Sequence, residues 1–200
     1  MPDFCHENRL GGVVAGVDEV GRGPLAGPVI AAAVILDPAT IPEALLALDD
    51  SKKLTARKRR LLADLVLTHG RVGLGQASVA EIDRLNILKA TFLAMRRAID
   101  ALGIAVDHAL VDGNQPPPLP CGVHCLVGGD GLSLSIAAAS VVAKVHRDDL
   151  MAQLAQEHPG YGWEKNAGYG TAAHLEALRR LGPTPHHRHS FAPIAQMTLL

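Results

Sequence analysis

The segment Val13–Val29, VVAGVDEVGRGPLAGPV, carries the strongest structural signal in this chain. Apolar residues lead into two adjacent carboxylates, Asp18 and Glu19, and the turn Gly21-Arg22-Gly23 follows at once. The valine-rich part predicts a buried strand, and the glycines and prolines after it predict a loop with little side-chain cover. A strand that ends in acid and continues as such a loop suits a metal ion and a phosphate.

Hydrophobic patterning on either side of this segment predicts strands that alternate with helices. The expected strands are Val13–Val20, Val29–Leu36, Arg71–Val79, His108–Val111 and Val123–Val127. The expected helices are Thr55–Thr68, a short helix opened by a capping box at Ser78, Asn86–Leu102, a long helix from Ser133 or Ser135 to about Glu157, and Thr171–Leu181. Ala31-Ala32-Ala33 weakens the second strand, because alanine disfavours strands. The order predicts an α/β chain with a mixed sheet and helices on its faces.

The composition limits the class of protein. The chain has 200 residues with 48% hydrophobic content, which predicts one domain with one substantial core. No apolar run reaches the roughly 18 residues of a membrane helix, and the N-terminus lacks the pattern of a signal peptide. Three cysteines, an odd number, favour a reducing cytoplasm over a disulfide framework. We therefore expect a cytoplasmic protein with no membrane contact, and a monomer.

Two local basic clusters indicate the kind of binding partner better than the net charge of −1 does. One places six cations in the nine positions 52–60, and the other, at positions 179–189, comprises Arg179, Arg180, His186, His187, Arg188 and His189. Each cluster alone is typical of a solvated helix face. Together, and beside an acidic site, they favour a polyanion that is held by cations and cut with the help of a metal.

Four acids share a position relative to the predicted strands. Asp18 and Glu19 end the first strand, Asp112 ends the fourth, and Asp130 follows the fifth. Function collects at the carboxyl ends of strands in open α/β sheets, and acids that converge there repel one another unless divalent cations are present. Oxygen ligands suit Mg²⁺ or Mn²⁺, and two such ions support phosphodiester hydrolysis.

The same acids also have a purely structural interpretation. Asp112-Gly-Asn and Asp130-Gly are both typical turns, and Asp18-Glu19 can end an exposed strand. Because successive strand residues point to opposite faces, Asp18 and Glu19 can serve one site only if the strand twists or ends there.

Six motifs in order resemble the bacterial ribonuclease HII family, the type 2 ribonucleases H. They are VDEVGRGPLAGPV from Val17, DSKKL at Asp50–Leu54, VDGN at Val111–Asn114, GGD followed by IAAASVVAKVHRD at Ile136–Asp148, NAGYGTAAH at Asn166–His174, and HHRHSF at His186–Phe191. They span nearly the whole chain at compatible spacing, which makes a chance match unexpected.

The resemblance implies a ribonuclease H-like fold: a mixed five-stranded sheet flanked by helices, in a single domain over residues 1–200. A C-terminal helical segment, about 158–200, would pack near the active site. It also implies an endonuclease that cuts RNA in RNA–DNA hybrids and incises 5′ to ribonucleotides in duplex DNA, leaving 5′-phosphate and 3′-hydroxyl ends. The implied cofactor is Mn²⁺ or Mg²⁺, with one ion in the free protein and two with substrate.

The resemblance also implies roles for particular residues. The metal-binding and catalytic acids would be Asp18, Glu19, Asp112 and Asp130. The backbone of Gly21-Arg22-Gly23 would read the ribonucleotide 2′-hydroxyl, the group that distinguishes RNA from DNA. Tyr169 would stack on the sugar of the following deoxynucleotide. Contacts to phosphates are expected from Lys52, Lys53, Ser140, Lys144 and Arg147. Ala167 and His189 depart from the family pattern, where many relatives carry lysine and arginine.

Two other functions fit the same residues less fully. A non-catalytic nucleic-acid-binding module would use the basic clusters without a metal, and a phosphohydrolase of small phosphate esters would use the acids without the clusters. Cys121, His124 and Cys125 form a fragment of a zinc site, but a structural zinc usually needs four ligands, so buried free thiols are preferred. The histidine-rich tail offers ligands for a stray metal ion, but an exposed basic segment is the preferred interpretation.

Overall fold

The computed structural model describes residues 1–197, in which five strands form one mixed sheet around a central acidic strand. The strands are β1 Val14–Val20, β2 Val29–Ile35, β3 Arg71–Ala77, β4 His108–Asp112 and β5 Gly122–Leu126, in the order β3-β2-β1-β4-β5. β2 runs antiparallel to β1 and β3, whereas β4 runs parallel to β1 and β5. The predicted mixed five-stranded sheet is confirmed, with strand ends that differ by one or two residues.

Eight α-helices lie in the described part of the chain. They are α1 Cys5–Leu10, α2 Ala56–His69, α3 Val79–Leu85, α4 Ile87–Ala101, α5 Leu134–Glu157, α6 Trp163–Asn166, α7 Ala172–Leu181 and α8 Ala192–Met197. Ser133, not Ser135, caps α5, because its side chain accepts from the backbone N–H of Ile136. The sequence patterns did not predict α1, α6 and α8, which are too short to show a helical period.

Helices cover both faces of the sheet, which explains the alanine-rich second strand. Ile30, Ala32 and Val34 of β2 pack with α2 and α5, whereas Ala31 and Ala33 pack with α4. A strand buried on both faces loses the alternating pattern, and its small side chains let the helices approach closely. The weak strand propensity of the alanines is therefore outweighed by burial.

The close approach of α5 is clearest at Gly16 of β1. A Cβ added there would lie 2.1 Å from the carbonyl carbon of Ser135, so only glycine fits. Alternation along the strand then directs Asp18 to the same side as Gly16, toward α5, and Glu19 to the opposite side. The start of α5 thus lies directly over the strand that bears the first two acids.

A separate apolar cluster joins the C-terminal helices to α5. Its buried members are Leu25, Ala26, Met151, Tyr161, Trp163, Ala177, Leu178 and Ile194. Leu25 and Ala26 belong to the loop after β1, so this cluster connects the C-terminal segment to that loop.

Residues 198–200 of the predicted segment lie outside the described residues. No helix in the described residues has the length and apolarity needed to cross a membrane.

Candidate active site

Asp18 occupies a buried position near the end of β1, with 6% of its surface exposed. Its Oδ1 accepts a hydrogen bond from the backbone N–H of Glu19 at 2.7 Å, and Ser140 of α5 hydrogen-bonds its side chain. Burial, followed by the negative charges of Glu19 and Asp112, raises the pKa of Asp18 well above its usual range. A buried carboxyl repelled by two others is the kind of group that a divalent cation stabilises.

Asp112 stands beside Asp18, because β1 and β4 run parallel in the register Val17–Val111. Its Oδ1 accepts from the backbone N–H of Gly129 at 2.7 Å, which fixes the carboxyl. The charge of Asp112 also raises the pKa of Glu19, although burial is the main cause and Arg22 opposes both. Asp18 and Glu19 point to opposite faces of β1, yet each lies close enough to Asp112 to share one electrostatic site with it.

Asp130 lies on a 3-10 helix, Gly129–Gly131, directly after the residue that binds Asp112. Burial and the charges of Asp50 and Asp112 raise the pKa of Asp130, whereas Lys52 lowers it. The structure thus brings the loop of Asp50 and Lys52 to the acidic site. Sequence reasoning took only the lysines from DSKKL and missed Asp50, although the motif contained it.

The donor set fits an oxygen-preferring divalent cation, because every acid offers only carboxylate oxygen and the charges repel one another. The carboxylate oxygens of these acids are too widely spaced for three of them to contact one ion directly. Residues 1–197 contain one group of three His, Cys, Asp or Glu residues whose ligand atoms all lie within 4.8 Å of one another, and it consists of Glu157, His158 and His186. The wider spacing of the acids leaves room for the waters and substrate oxygens that Mg²⁺ retains.

The loop after β1, residues 21–28, meets Tyr169 at the edge of the acidic site. Gly21 has a φ of +93°, and a Cβ there would lie 2.2 Å from Nε of Arg147, so no other residue fits. A Cβ on Gly23 would lie 3.5 Å from Cε1 of Tyr169, whose surface is 47% exposed. The structure therefore brings together the residues expected to read the 2′-hydroxyl and the adjacent sugar.

Arg147 does not contact phosphate, and that prediction is wrong. The side chain is fully buried and donates to the carbonyl oxygens of Pro28 at 3.1 Å, Ala167 at 2.9 Å and Ala26 at 3.1 Å. Burial lowers the pKa of Arg147 to about 10, which leaves it charged at neutral pH. Arg147 instead connects the loop to the turn before Tyr169.

Ser140 is also buried, which corrects its predicted phosphate contact. Its Oγ lies 3.0 Å from Oγ of Ser51, and its side chain hydrogen-bonds Asp18, so Ser140 supports that carboxyl from the side of α5. Lys144 is partly exposed and pairs with Asp148 at 2.6 Å. The three polar residues of α5 do not form a solvent-facing stripe, because the sheet and the loop cover most of this helix.

Lys52 and Lys53 are exposed, and Lys53 pairs with Asp49 at 3.0 Å.

A second buried arginine, Arg188, holds the loop from the other side, and sequence reasoning missed it. It donates to the carbonyl oxygens of Gly21 at 2.5 Å, Arg22 at 2.8 Å and Gly27 at 2.8 Å. Burial, followed by the charge of Arg147, lowers the pKa of Arg188 to about 9, so it also stays charged at neutral pH. The only sequence signal for Arg188 was its position in the basic cluster at 179–189, and such a cluster predicts an exposed side chain, not a buried one.

Two buried histidines support the backbone at Tyr169, and the burial of His187 shows that the interpretation of the histidine-rich tail as an exposed segment is wrong. His174 Nδ1 lies 2.9 Å from the carbonyl oxygen of Tyr169, and His187 Nδ1 accepts from the backbone N–H of Thr184 at 2.9 Å. Trp163 Nε1 donates to His174 Nε2 at 3.1 Å, and His187 Nε2 lies 3.1 Å from the same atom. These partners are all satisfied by one neutral tautomer of each ring: His174 protonated on Nδ1 and His187 on Nε2.

Within residues 1–197, no cysteine belongs to a close group of three His, Cys, Asp or Glu ligands. All three cysteines are free, and Cys121 and Cys125 are partly exposed, so the expectation of buried thiols is wrong. Both lie at β5, a strand at the edge of the sheet, which leaves them less covered than residues of the central strands.

Comparison with known proteins agrees with this geometry. A family model described as Ribonuclease HII matches residues 15–194. The chain is 70% identical over 200 residues to the ribonuclease HII of Paramagnetospirillum magneticum, covering 100% of both chains. The ribonuclease H2 structure of Pyrococcus horikoshii OT3 matches 92% of this chain and 96% of its own, with 25% identity and a TM-score of 0.76. Bst-RNase HIII in complex with Mn²⁺ shares the fold, with a TM-score of 0.75 at 20% identity over 100% of this chain and 73% of its own.

Proposed function

Because this chain belongs to the ribonuclease HII family and is a ribonuclease H endonuclease, we propose that it cuts RNA–DNA hybrids and duplex DNA that contains ribonucleotides. Cleavage 5′ to the ribonucleotide would leave 3′-hydroxyl and 5′-phosphate ends. The observation that carries the proposal is the placement of Asp18 beside Asp112 at the carboxyl ends of parallel strands, next to a loop that meets Tyr169.

Asp18, Glu19, Asp112 and Asp130 are the proposed metal-binding and catalytic residues. Ribonucleases H depend on divalent metal, and a relative of the same fold binds Mn²⁺, which supports Mg²⁺ or Mn²⁺ here. We propose one ion in the free protein and two with substrate. Such ions, when bound, activate a water and stabilise the leaving oxygen. Their ligands would be Asp18 and Asp112 in the centre, with Asp130 on the side of the Asp50 loop.

The chain's own residues position the scissile phosphate. Water attacks phosphorus and the P–O3′ bond breaks, so the preceding nucleotide gains the 3′-hydroxyl and the ribonucleotide keeps the phosphate. The backbone of Gly21-Arg22-Gly23 would contact the 2′-hydroxyl, because glycine allows close approach. The half-exposed Arg22 is placed to pair with a phosphate, and it already lies 3.4 Å from Glu19.

Tyr169 would stack on the deoxyribose that follows the ribonucleotide. Its ring is half exposed, while its backbone is fixed by His174 and by the neighbouring bond from the N–H of Leu25 to the carbonyl of Gly168 at 2.8 Å. A fixed backbone with an exposed ring suits a group that tests the shape of a sugar.

Lys52, Lys53 and Lys144 remain the proposed contacts to phosphates farther along the duplex.

We further propose a single domain over residues 1–200, a monomer, and a cytoplasmic location. The family match over residues 15–194 supports the single domain, and the three free cysteines support a reducing compartment. Sedimentation of the purified protein tests the monomer.

The function is tested with duplex DNA that carries one ribonucleotide, incubated with Mg²⁺, with Mn²⁺ or with EDTA. We expect a metal-dependent nick immediately 5′ to the ribonucleotide, with no nick in the matched all-DNA duplex. An uncut substrate in both metals would overturn the proposed substrate, and cleavage in EDTA would overturn the role of the acids.

A further inference from the structure

Glu157, His158 and His186 form a cluster that lies outside the acidic site. Glu157 is the last residue of α5, His158 follows it, and His186 lies between α7 and α8. One ligand atom from each residue lies within 4.8 Å of the other two, and the two imidazole rings are 4.9 Å apart at their centroids. Two separate parts of the chain therefore present three potential ligands to one point at the surface.

We propose that these residues bind a borderline divalent cation such as Zn²⁺, Co²⁺ or Ni²⁺. Two imidazoles and a carboxylate are a common ligand set for zinc, with the remaining positions left to water. Tetrahedral ligand atoms ~2.1 Å from one ion lie ~3.4 Å apart, so the cluster has to contract by at most about 1.4 Å. Glu157 is exposed and free to make that movement.

The ligand types in the cluster also favour a borderline metal over Mg²⁺. Imidazole prefers borderline metals, whereas the acids of the first site offer only oxygen and prefer Mg²⁺ or Mn²⁺. The two sites are therefore distinguishable by the metal that each prefers.

The rings are held in place by the packing behind them. Trp163 is fully buried, and its ring centroid lies 5.9 Å from that of His158 and 6.3 Å from that of His186. The carbonyl oxygen of His186 also accepts from the backbone N–H of Gly27 at 2.9 Å. An ion bound here would link the C-terminal end of α5 to His186, whose backbone is hydrogen-bonded to the loop of residues 21–28.

Trp163 is the only tryptophan in the chain, which supplies a local probe. We would titrate the full-length protein with Ni²⁺ or Co²⁺ in excess Mg²⁺, which occupies the acids, and follow tryptophan emission. These open-shell ions quench a nearby indole, whereas Zn²⁺ does not. We expect saturable quenching that Zn²⁺ reverses by competition, and a rise in Tm with Zn²⁺.

Two variants and a matched control decide the outcome. Glu157→Gln and His186→Gln should each raise the apparent Kd by about tenfold or more, since even the loss of an outer-shell partner costs about 10–100-fold. His69→Gln, at an exposed histidine on the end of α2, should leave the titration unchanged. Because Glu157 is exposed, its variant folds, as circular dichroism would verify. Absence of quenching, or equal midpoints in the wild type and Glu157→Gln, would overturn the proposal.

Discussion

The ring of Tyr169 lies against Gly23, where an added Cβ would stand 3.5 Å from Cε1 of the tyrosine. The two residues are far apart in sequence, and the buried guanidinium groups of Arg147 and Arg188 hold their backbones together through carbonyl oxygens. Loop and tyrosine thus form one rigid surface beside the acids.

The two glycines of the loop should respond differently to alanine. Gly21→Ala should lower the free energy of unfolding by about 2 kcal/mol or more, because its φ is +93° and the methyl group would overlap Arg147. Gly23→Ala should change stability by less than about 0.5 kcal/mol but reduce incision at a single ribonucleotide, since the methyl group has room yet covers the backbone. Urea unfolding and nicking assays measure both, and equal stability of the two variants would contradict the assignment.

Replacing Tyr169 tests the reading of the sugar. Tyr169→Ala should slow incision at a single embedded ribonucleotide by about tenfold, which corresponds to ~1.4 kcal/mol of transition-state stabilisation. Tyr169→Phe keeps the ring and should retain most of the activity. Because the side chain is half exposed, neither change should alter the fold. An alanine variant with unchanged kcat/KM on this substrate would exclude the proposed stacking.

Removing the buried Arg188 should destabilise the protein. Arg188→Met leaves the carbonyl oxygens of Gly21, Arg22 and Gly27 without their donor, and we expect a loss of about 3 kcal/mol in the free energy of unfolding. Arg179→Met on α7 is the matched control, because its side chain is 66% exposed and pairs only at the surface. Urea unfolding of both variants checks the difference, and a loss as small as that of the control would show that Arg188 does not support the loop.

Asp18→Asn should abolish cleavage while hybrid binding survives, because the basic residues are untouched. In EDTA, the variant should also have a higher Tm than the wild type. The reason is that it removes a buried negative charge that Glu19 and Asp112 repel. Added Mg²⁺ should raise the Tm of the wild type more than that of the variant. Activity of Asp18→Asn in Mg²⁺ equal to that of the wild type would refute the assignment of Asp18.

His187 should make stability depend on pH below neutrality. Burial, followed by the charge of His174, lowers the pKa of His187 from 6.5 to about 4. The unfolded chain therefore binds a proton between pH 6.5 and 4 that the folded chain does not, so the stabilisation is complete above pH 6.5 and is lost as the pH falls toward 4. The contribution is about 3 kcal/mol, at ~1.36 kcal/mol per pKa unit. Stability curves of His187→Asn should be flatter over this range, whereas those of His69→Gln should keep the slope of the wild type.

The polar residues of α5 show where sequence patterns fail. Ser140, Lys144 and Arg147 recur at helical spacing, which predicts a shared face but not what covers that face. Ser140 proves to support Asp18, and Arg147 proves to hold the loop, because elements distant in sequence pack over α5. Burial of a polar residue depends on these long-range contacts, and a single helix does not encode them.

Local sequence was sufficient to predict the strands and the main helices and to nominate the four acids as metal ligands. Local hydrophobic periodicity, capping residues and the position of acids at strand ends require no knowledge of distant contacts. Only the tertiary structure brings Asp112 close enough to raise the pKa of both Asp18 and Glu19, brings Asp50 close to Asp130, and packs Arg188 against the loop of Gly21. The first relationship arises from the parallel pairing of β1 with β4, and the third from the return of the C-terminal segment to the loop after β1, which bring together residues that local sequence cannot relate.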